Sequence, residues 1–205
     1  MRSCTAPGAP PATDAPRVKP TRARADHARV GKTKGTVVLK AVKVLRGRKD
    51  EAKKQLPAAL HHYLQDRIVV SSWYPEDEFF ALLCACAALF PMGDSAFEML
   101  GAETARDHAQ NMYADIVKRD FASRAKIMWK TQHDSGEFVL TTESDFSATY
   151  ELHDWDYASP KYCRVVGGYF TELHRLSGAQ SPVYTHPVCK STKGDRCVFV
   201  VSWLG

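Results

Sequence analysis

Long apolar segments and familiar catalytic motifs are missing from this chain of 205 residues. The longest apolar stretch, residues 79–90, is shorter than the roughly 20 residues that a membrane span needs. Arg2 is followed by Ala and Pro rather than by an apolar signal core, so we expect no secretory signal and a cytoplasmic location. Phosphate loops, Gly-x-Ser-x-Gly and His-Glu-x-x-His are absent, and no catalytic constellation is visible. The sequence therefore favours a binding module over an enzyme.

Charge is unevenly distributed along the chain. The first 35 residues carry eight basic and two acidic side chains, a sum of +6, whereas the whole chain carries +5. The remainder is near neutral, so any nucleic-acid contact is expected only through the basic end. Residues 1–34 are rich in Pro, Ala, Arg and Lys and have few large apolar side chains. We predict a disordered tail over 1–34 and one domain over 35–205.

Residue periodicity predicts helices mainly in the first half of the domain. Residues 36–45 are β-branched and partly alternating, which predicts a strand. Helices are expected over residues 56–64, from Pro75 onward, and from Asp94 or Ser95 onward. The last of these carries a stripe at spacings of three and four: Ala102, Ala105, Ala109, Met112 and Ile116.

The second half changes to a period of two. Residues 125–130, 138–142 and 146–153 predict strands of an antiparallel meander. Ser159 and Pro160 then predict a helix start, and Gly178 its end. Two final strands, 183–188 and 198–203, are joined by a turn at 193–195. We predict an α+β fold with an antiparallel sheet of about four to five strands, a helical layer on one face and a C-terminal zinc-type hairpin.

Four side chains suited to metal binding fall in the last third of the chain. Cys163, His186, Cys189 and Cys197 form the pattern C-x22-H-x2-C-x7-C. Three thiolates and one imidazole form a closed tetrahedral donor set for zinc. Two alternatives stay open at this point, because buried cysteines also serve as small apolar side chains and one pair can oxidise.

The same segment carries a family resemblance. Residues 161–170, His186-Pro187-Val188-Cys189 and residues 194–199 resemble the 4-vinyl reductase domain of the nitric-oxide-signalling and Golgi-transport (TRAPP-subunit) superfamily. His186 stands where that family usually has Glu. The resemblance implies an enclosed apolar pocket for a small apolar or aromatic ligand, a structural zinc ion as cofactor, frequent homodimers and signalling through a partner protein. The candidate pocket residues are Phe97, Met112, Trp129, Phe146, Tyr150, Tyr169 and Phe170.

Rival functions and further sites stand beside this one. A TRAPP-like scaffold with a filled core and a tetrapyrrole reductase accessory factor are the alternatives to a sensor. Gly167 and Gly168, in mid-helix, predict the close approach of a strand, ligand or partner helix. His108 and His133 lack a partner at ligand spacing, so neither is predicted to form a site. The string 121–124 does not match the Tyr-x-Ser-x-Arg signature of related heme sensors, so we expect no heme.

Overall fold

The computed structural model describes residues 31–112 and 121–204, apart from the side chains of 111, 112, 121–124 and 142. Residues 1–30 of the predicted tail therefore lie outside the described residues. Strand β1, Lys32–Lys34, pairs antiparallel with β2, Trp73–Pro75. Since this pairing begins before Gly35, the folded part starts earlier than the predicted boundary at residue 35. Within the described residues, no helix combines the length and apolarity that crossing a membrane requires.

The first predicted strand is wrong, because residues 36–45 belong to helix α1, Gly35–Gly47. The buried residues Val38, Ala41, Val42 and Leu45 follow helical spacing. Val38 and Val42 fit an alternating pattern equally well, since a separation of four residues suits both periods. Packing of this stripe against the core therefore outweighs the strand preference of β-branched residues.

Further helices complete the first half. Helix α2, Lys49–Gln55, is followed by a 3-10 helix at Ala58–Leu64, which confirms the helix expected over residues 56–64. Helix α3, Glu76–Ala88, begins as predicted and is buried on most sides. Helix α4, Ser95–Asp107, continues as a π-helical turn at His108–Met112. Ile116 of the predicted stripe lies outside the described residues.

A second predicted strand is also wrong. Residues 125–130 belong to helix α5, Phe121–Gln132. Ala125, Met128 and Trp129 are buried at spacings of three and four, whereas Ile127 is 61% exposed. The alternation of Ala125, Ile127 and Trp129 therefore does not reflect one buried face.

The sheet has four antiparallel strands, within the predicted range, in the order β3-β4-β6-β5. Strands β3, Glu137–Ser144, and β4, Ser147–His153, are two of the three strands predicted for the meander, and alternate residues of β4 are buried. Strands β5, Gln180–Val188, and β6, Cys197–Leu204, form the predicted C-terminal hairpin. Three backbone N–H groups at residues 192–194 donate to Cys189 O and close this turn.

Helix α6, Pro160–Leu176, joins the sheet to the helical layer. It begins as predicted, since the Ser159 hydroxyl accepts from the Tyr162 N–H at 3.1 Å, and Gly178, at φ +105°, follows its end. A Cβ on Gly168 would lie 2.2 Å from Glu98 O of α4, and one on Gly167 would lie 2.2 Å from the Tyr184 ring of β5. The paired glycines therefore serve contacts within the chain, to a strand and to a neighbouring helix.

Candidate functional sites in a cysteine and histidine cluster and a core cavity

The structure brings the four predicted metal ligands together. Cys163 lies in the first turns of α6, His186 on β5, Cys189 directly after β5, and Cys197 at the start of β6. Their donor atoms all lie within 4.8 Å of one another. Cys163 and Cys197 are fully buried, and the other two are half-buried. The first turns of α6 and the β5–β6 hairpin therefore place all four donor atoms close together.

Distances in this Cys/His cluster match shared coordination better than a disulfide. Cys163 Sγ lies 3.7 Å from Cys197 Sγ and 3.9 Å from Cys189 Sγ, and all three cysteines are free thiols. A disulfide would require about 2.05 Å. Two sulfurs bound tetrahedrally to one ion at about 2.3 Å lie about 3.8 Å apart. His186 Nε2 is buried and has no hydrogen-bond partner among the described residues.

The electrostatics of the cluster favour a thiolate. A hydrogen bond from Cys163 lowers the pKa of Cys197, and His186 lowers it further, although burial opposes both effects. The same hydrogen bond, together with burial, raises the pKa of Cys163. One thiol of the pair therefore ionises far more readily than the other. A thiolate is the form in which cysteine binds metals and acts as a nucleophile.

A second site is a cavity of about 440 Å³ in the core, between α1, α3, α4, α5 and α6. Most of its walls are aliphatic or aromatic. Trp129, Tyr169 and Phe170 line it, as predicted for the apolar pocket. The aliphatic part of the lining includes Val37, Leu39, Val44, Leu83, Leu100 and Met128. The π-helical turn that begins at His108 borders the cavity, and such turns are frequent at functional sites.

The lining also includes polar and charged side chains: Thr36, Lys40, Lys43, Glu103, Thr104, Asp107, His108, Gln132 and His133. His108 Nδ1 lies 2.9 Å from the Tyr169 hydroxyl, and His108 is 3% exposed. Desolvation, aided by the charge of Lys40, lowers the pKa of His108 to about 3, so its imidazole is neutral at neutral pH. Lys40 Nζ lies 2.7 Å from Asp107 Oδ2 at the rim. The cavity therefore combines apolar walls with a neutral imidazole and one half-buried ammonium.

A buried carboxylate supports the other end of the cavity. Glu76 is fully buried, and its Oε1 accepts from Trp155 Nε1 at 3.0 Å and lies 3.1 Å from His133 Nδ1. Burial alone would raise the pKa of Glu76, but the hydrogen bonds, led by that of His133, hold it below its ordinary value. His133 itself lines the cavity and stacks on Trp129 with 4.0 Å between ring centroids. Glu76 thus fixes the orientation of a cavity-lining ring.

The remaining predicted pocket residues lie elsewhere. Phe146 is 53% exposed at the β3–β4 turn, so it is not part of an enclosed wall. Phe97 and Tyr150 are buried but are not among the cavity-lining residues; Tyr150 instead stacks on Phe170 at 4.8 Å. The Met112 side chain lies outside the described residues. Phe97, Phe146 and Tyr150 are hydrophobic, but their positions in the fold place them outside the cavity lining.

Sequence reasoning missed the polar residues of the cavity. Lys40 and Gln132 carry no motif, and His108 and His133 lack partners at ligand spacing. Their partners are distant in sequence: His108 meets Tyr169 across 61 residues, and His133 meets Glu76 across 57. Spacing along the chain carries no signal for such pairs.

Comparison with solved structures relates the fold to H-NOX proteins. A mutant H-NOX protein from S. oneidensis in the Fe(II) ligation state matches with a TM-score of 0.60 and 16% identity, over 84% of this chain and 96% of that one. A mutant of T. tengcongensis H-NOX matches with a TM-score of 0.59 and 10% identity, over 84% and 98%. A structure that concerns heme distortion in the H-NOX family matches with a TM-score of 0.56 and 12% identity, over 84% of this chain and 95% of that one. The chain shares the H-NOX fold, which agrees with the predicted nitric-oxide-signalling fold.

Other comparisons add no family. No protein-family model matches the chain, and no curated protein matches it significantly. Membership of the 4-vinyl reductase family is therefore unconfirmed and stays a prediction.

The prediction of zinc as the cofactor is wrong. The H-NOX structures that share this fold include one in the Fe(II) ligation state and one that concerns heme distortion, which overturns zinc as the cofactor expected for the fold. What the structure shows at the predicted positions is a cluster of three thiols and one imidazole.

Proposed function

We propose that this chain is a non-enzymatic sensory domain that binds a small, largely apolar ligand in the core cavity and signals through a partner protein. The observation that carries the proposal is the cavity itself, whose volume of about 440 Å³ falls within the range of small-molecule sites, about 300–1,000 Å³. Its predominantly apolar walls are also typical of such sites. A homodimer, a partner signalling protein and a cytoplasmic location are further predictions of this proposal.

Two sequence features support placing this sensor with the 4-vinyl reductase domains. The quoted motifs lie on α6 and on the β5–β6 hairpin, where the resemblance requires a helix and a closing strand pair. The rival scaffold function predicts a filled core, and the cavity argues against it. The rival reductase accessory function would need titratable groups directed at a substrate, and His108 and His133 are the nearest candidates.

Filling the cavity tests the ligand proposal. Naphthalene and decan-1-ol are the apolar probes, measured by isothermal titration calorimetry. Ala125→Phe adds a ring at a buried, cavity-lining position of α5, so it should abolish binding because the ring occupies the ligand's volume. Ile127→Phe lies two residues away, where the side chain is 61% exposed, and is the matched control. Failure of both probes to bind the wild-type protein, or equal binding by both variants, would favour the scaffold.

Heme is the second candidate ligand, favoured by His108. Heme iron is commonly held by a neutral histidine, and His108 is a neutral imidazole in the cavity wall. Lys40 and Lys43 also line the cavity and suit the two carboxylates of the porphyrin. Heme would supply an iron centre, as in the H-NOX protein in the Fe(II) ligation state. In this role Tyr169 orients the imidazole through Nδ1.

Hemin titration tests the second candidate. Binding should produce a narrow Soret band at one equivalent in the wild-type protein, and His108→Ala should shift or lose it. His62→Ala, at an exposed histidine outside the cavity, is the control and should leave the band unchanged. A band that is identical in all three proteins would remove His108 as the axial ligand.

A structural role is proposed for the Cys/His cluster. Its four donors bind one thiophilic metal ion that ties α6 to the C-terminal hairpin. The support comes from sulfur separations of 3.7 and 3.9 Å and from the buried His186 Nε2. The identity of the ion is to be read by elemental analysis.

A further inference from the structure

We propose that the ligand of the core cavity carries one acidic group, a carboxylate on an apolar body, and that Lys40 selects it. This inference rests on the proposed ligand-binding function and names the chemical class of the ligand. Four charged side chains line the cavity: Lys40, Lys43, Glu103 and Asp107. They do not contribute equally, and their exposure decides which of them faces the ligand.

Lys40 is the least exposed of the four charged side chains that line the cavity. Its side chain is 25% exposed, whereas Asp107 and Glu103 are 50% and 61% exposed and Lys43 is an exposed residue. Glu103 pairs with Arg106 of its own helix, away from Lys40. The ammonium of Lys40 therefore lies between solvent and the apolar interior. A charge in that position is stabilised by an anion more strongly than one in water.

The ammonium also has capacity for a further acceptor. It carries three N–H donors. Among the described residues its acceptors are Asp107 Oδ2 at 2.7 Å and Thr104 O at 3.5 Å, the second at the limit of a hydrogen bond. A ligand carboxylate entering from the cavity can bind the third donor, or displace the more exposed Asp107. An apolar ligand without an acid would leave this ammonium half-buried with its existing partners and gain nothing from it.

The polar side chains at the opposite end of the cavity are consistent with a ligand that carries one acidic group rather than two. His133, at the end of the cavity held by Glu76, is already oriented by that carboxylate, and Thr36 Oγ1 is bonded to Gln132 Oε1 at 2.7 Å. These groups suit a neutral hydrogen-bonding end of a ligand or an apolar tail. The charge selection thus belongs to the α1–α4 side of the cavity.

The experiment compares decanoate with decan-1-ol, which share the apolar chain and differ in the acid. Titration calorimetry should show that wild-type protein binds decanoate at least about tenfold more tightly than decan-1-ol, because a charge-assisted hydrogen bond is added. Lys40→Met should remove that preference and leave decan-1-ol binding unchanged, which also shows that the variant is folded. Lys49→Met removes the same charge from an exposed position of α2 outside the cavity lining and should keep the preference. Asp107→Asn should raise decanoate affinity, since the competing carboxylate is gone.

Each other outcome overturns the inference in a distinguishable way. Equal binding of the two probes to wild-type protein, or an equal loss of both in Lys40→Met, ends the acid selection and leaves the cavity as a site for neutral ligands. Failure of both probes to bind wild-type protein ends the ligand-binding function together with this inference. A preference that Lys49→Met loses as fully as Lys40→Met would assign the preference to overall charge instead of to Lys40.

Discussion

The Cys/His cluster and the core cavity share helix α6 but are built in opposite ways. Cys163 belongs to the cluster, and its neighbour Tyr162 lines the cavity. The cluster gathers four polar donors within 4.8 Å, whereas the cavity spreads apolar walls over five helices and keeps charge at its rim. A closed donor set fixes the positions of the elements that carry it, whereas an apolar cavity can accommodate a ligand.

Loss of a cluster thiol should have the largest effect. Cys189→Ser removes one of four donors, so the bound metal ion should be lost and the free energy of unfolding should fall by at least about 4 kcal/mol. Elemental analysis and urea denaturation are the measurements. Cys84→Ala, at a buried cysteine of α3 outside the cluster, should keep the metal content of the wild-type protein. Metal content that is zero in both proteins would contradict the proposed site.

The contact between α4 and α6 joins the two regions and should be the next most sensitive. A Cβ at Gly168 would approach Glu98 O to 2.2 Å, so Gly168→Ala must push the helices apart and should cost about 3 kcal/mol of unfolding free energy. Gly47→Ala is the matched control, because a Cβ there meets nothing within 4 Å. It should change stability by less than about 1 kcal/mol. Similar denaturation midpoints for the two variants would show that the helices are not in close contact.

Buried histidines give a smaller, pH-dependent effect. Desolvation lowers the pKa of His108 to about 3 and that of His174 to about 4, from an ordinary 6.5. Between pH 6.5 and 4 the unfolded chain binds protons that the native chain excludes, so stability is full above pH 6.5 and falls as pH decreases. Each histidine contributes a slope of about 1.4 kcal/mol per pH unit.

Urea denaturation between pH 7.5 and 4.5 measures this slope. His108→Gln should reduce it by one histidine's share, and the double variant with His174→Gln should reduce it by two. A stability that does not change with pH in the wild-type protein across this window would show that both imidazoles are accessible to protons in the native state.

The two regions also differed in how far sequence predicted them. The cluster, α6 and the hairpin were predicted because most of their signals are local: a Ser-Pro helix start, a Gly end, and three of the four ligands separated by only two and seven residues. Helices α1 and α5 were predicted as strands, because Val38 and Val42, or Ala125 and Trp129, satisfy both periods. Lys40, His108 and His133 could not be placed, since the cavity arises only when five helices pack. The metal identity was predicted wrongly because donor type alone does not determine a cofactor.

A crystal structure with a bound ligand is the most direct test of the claim that the core cavity binds a small, largely apolar molecule. A structure with 10-bromodecan-1-ol, measured at the bromine absorption edge, should show one anomalous peak among Trp129, Tyr169 and Phe170, the aromatic residues that line the cavity. A bromine bound only on the protein surface, with Trp129 and Phe170 closed over a filled core, would contradict the proposal that this fold encloses a ligand.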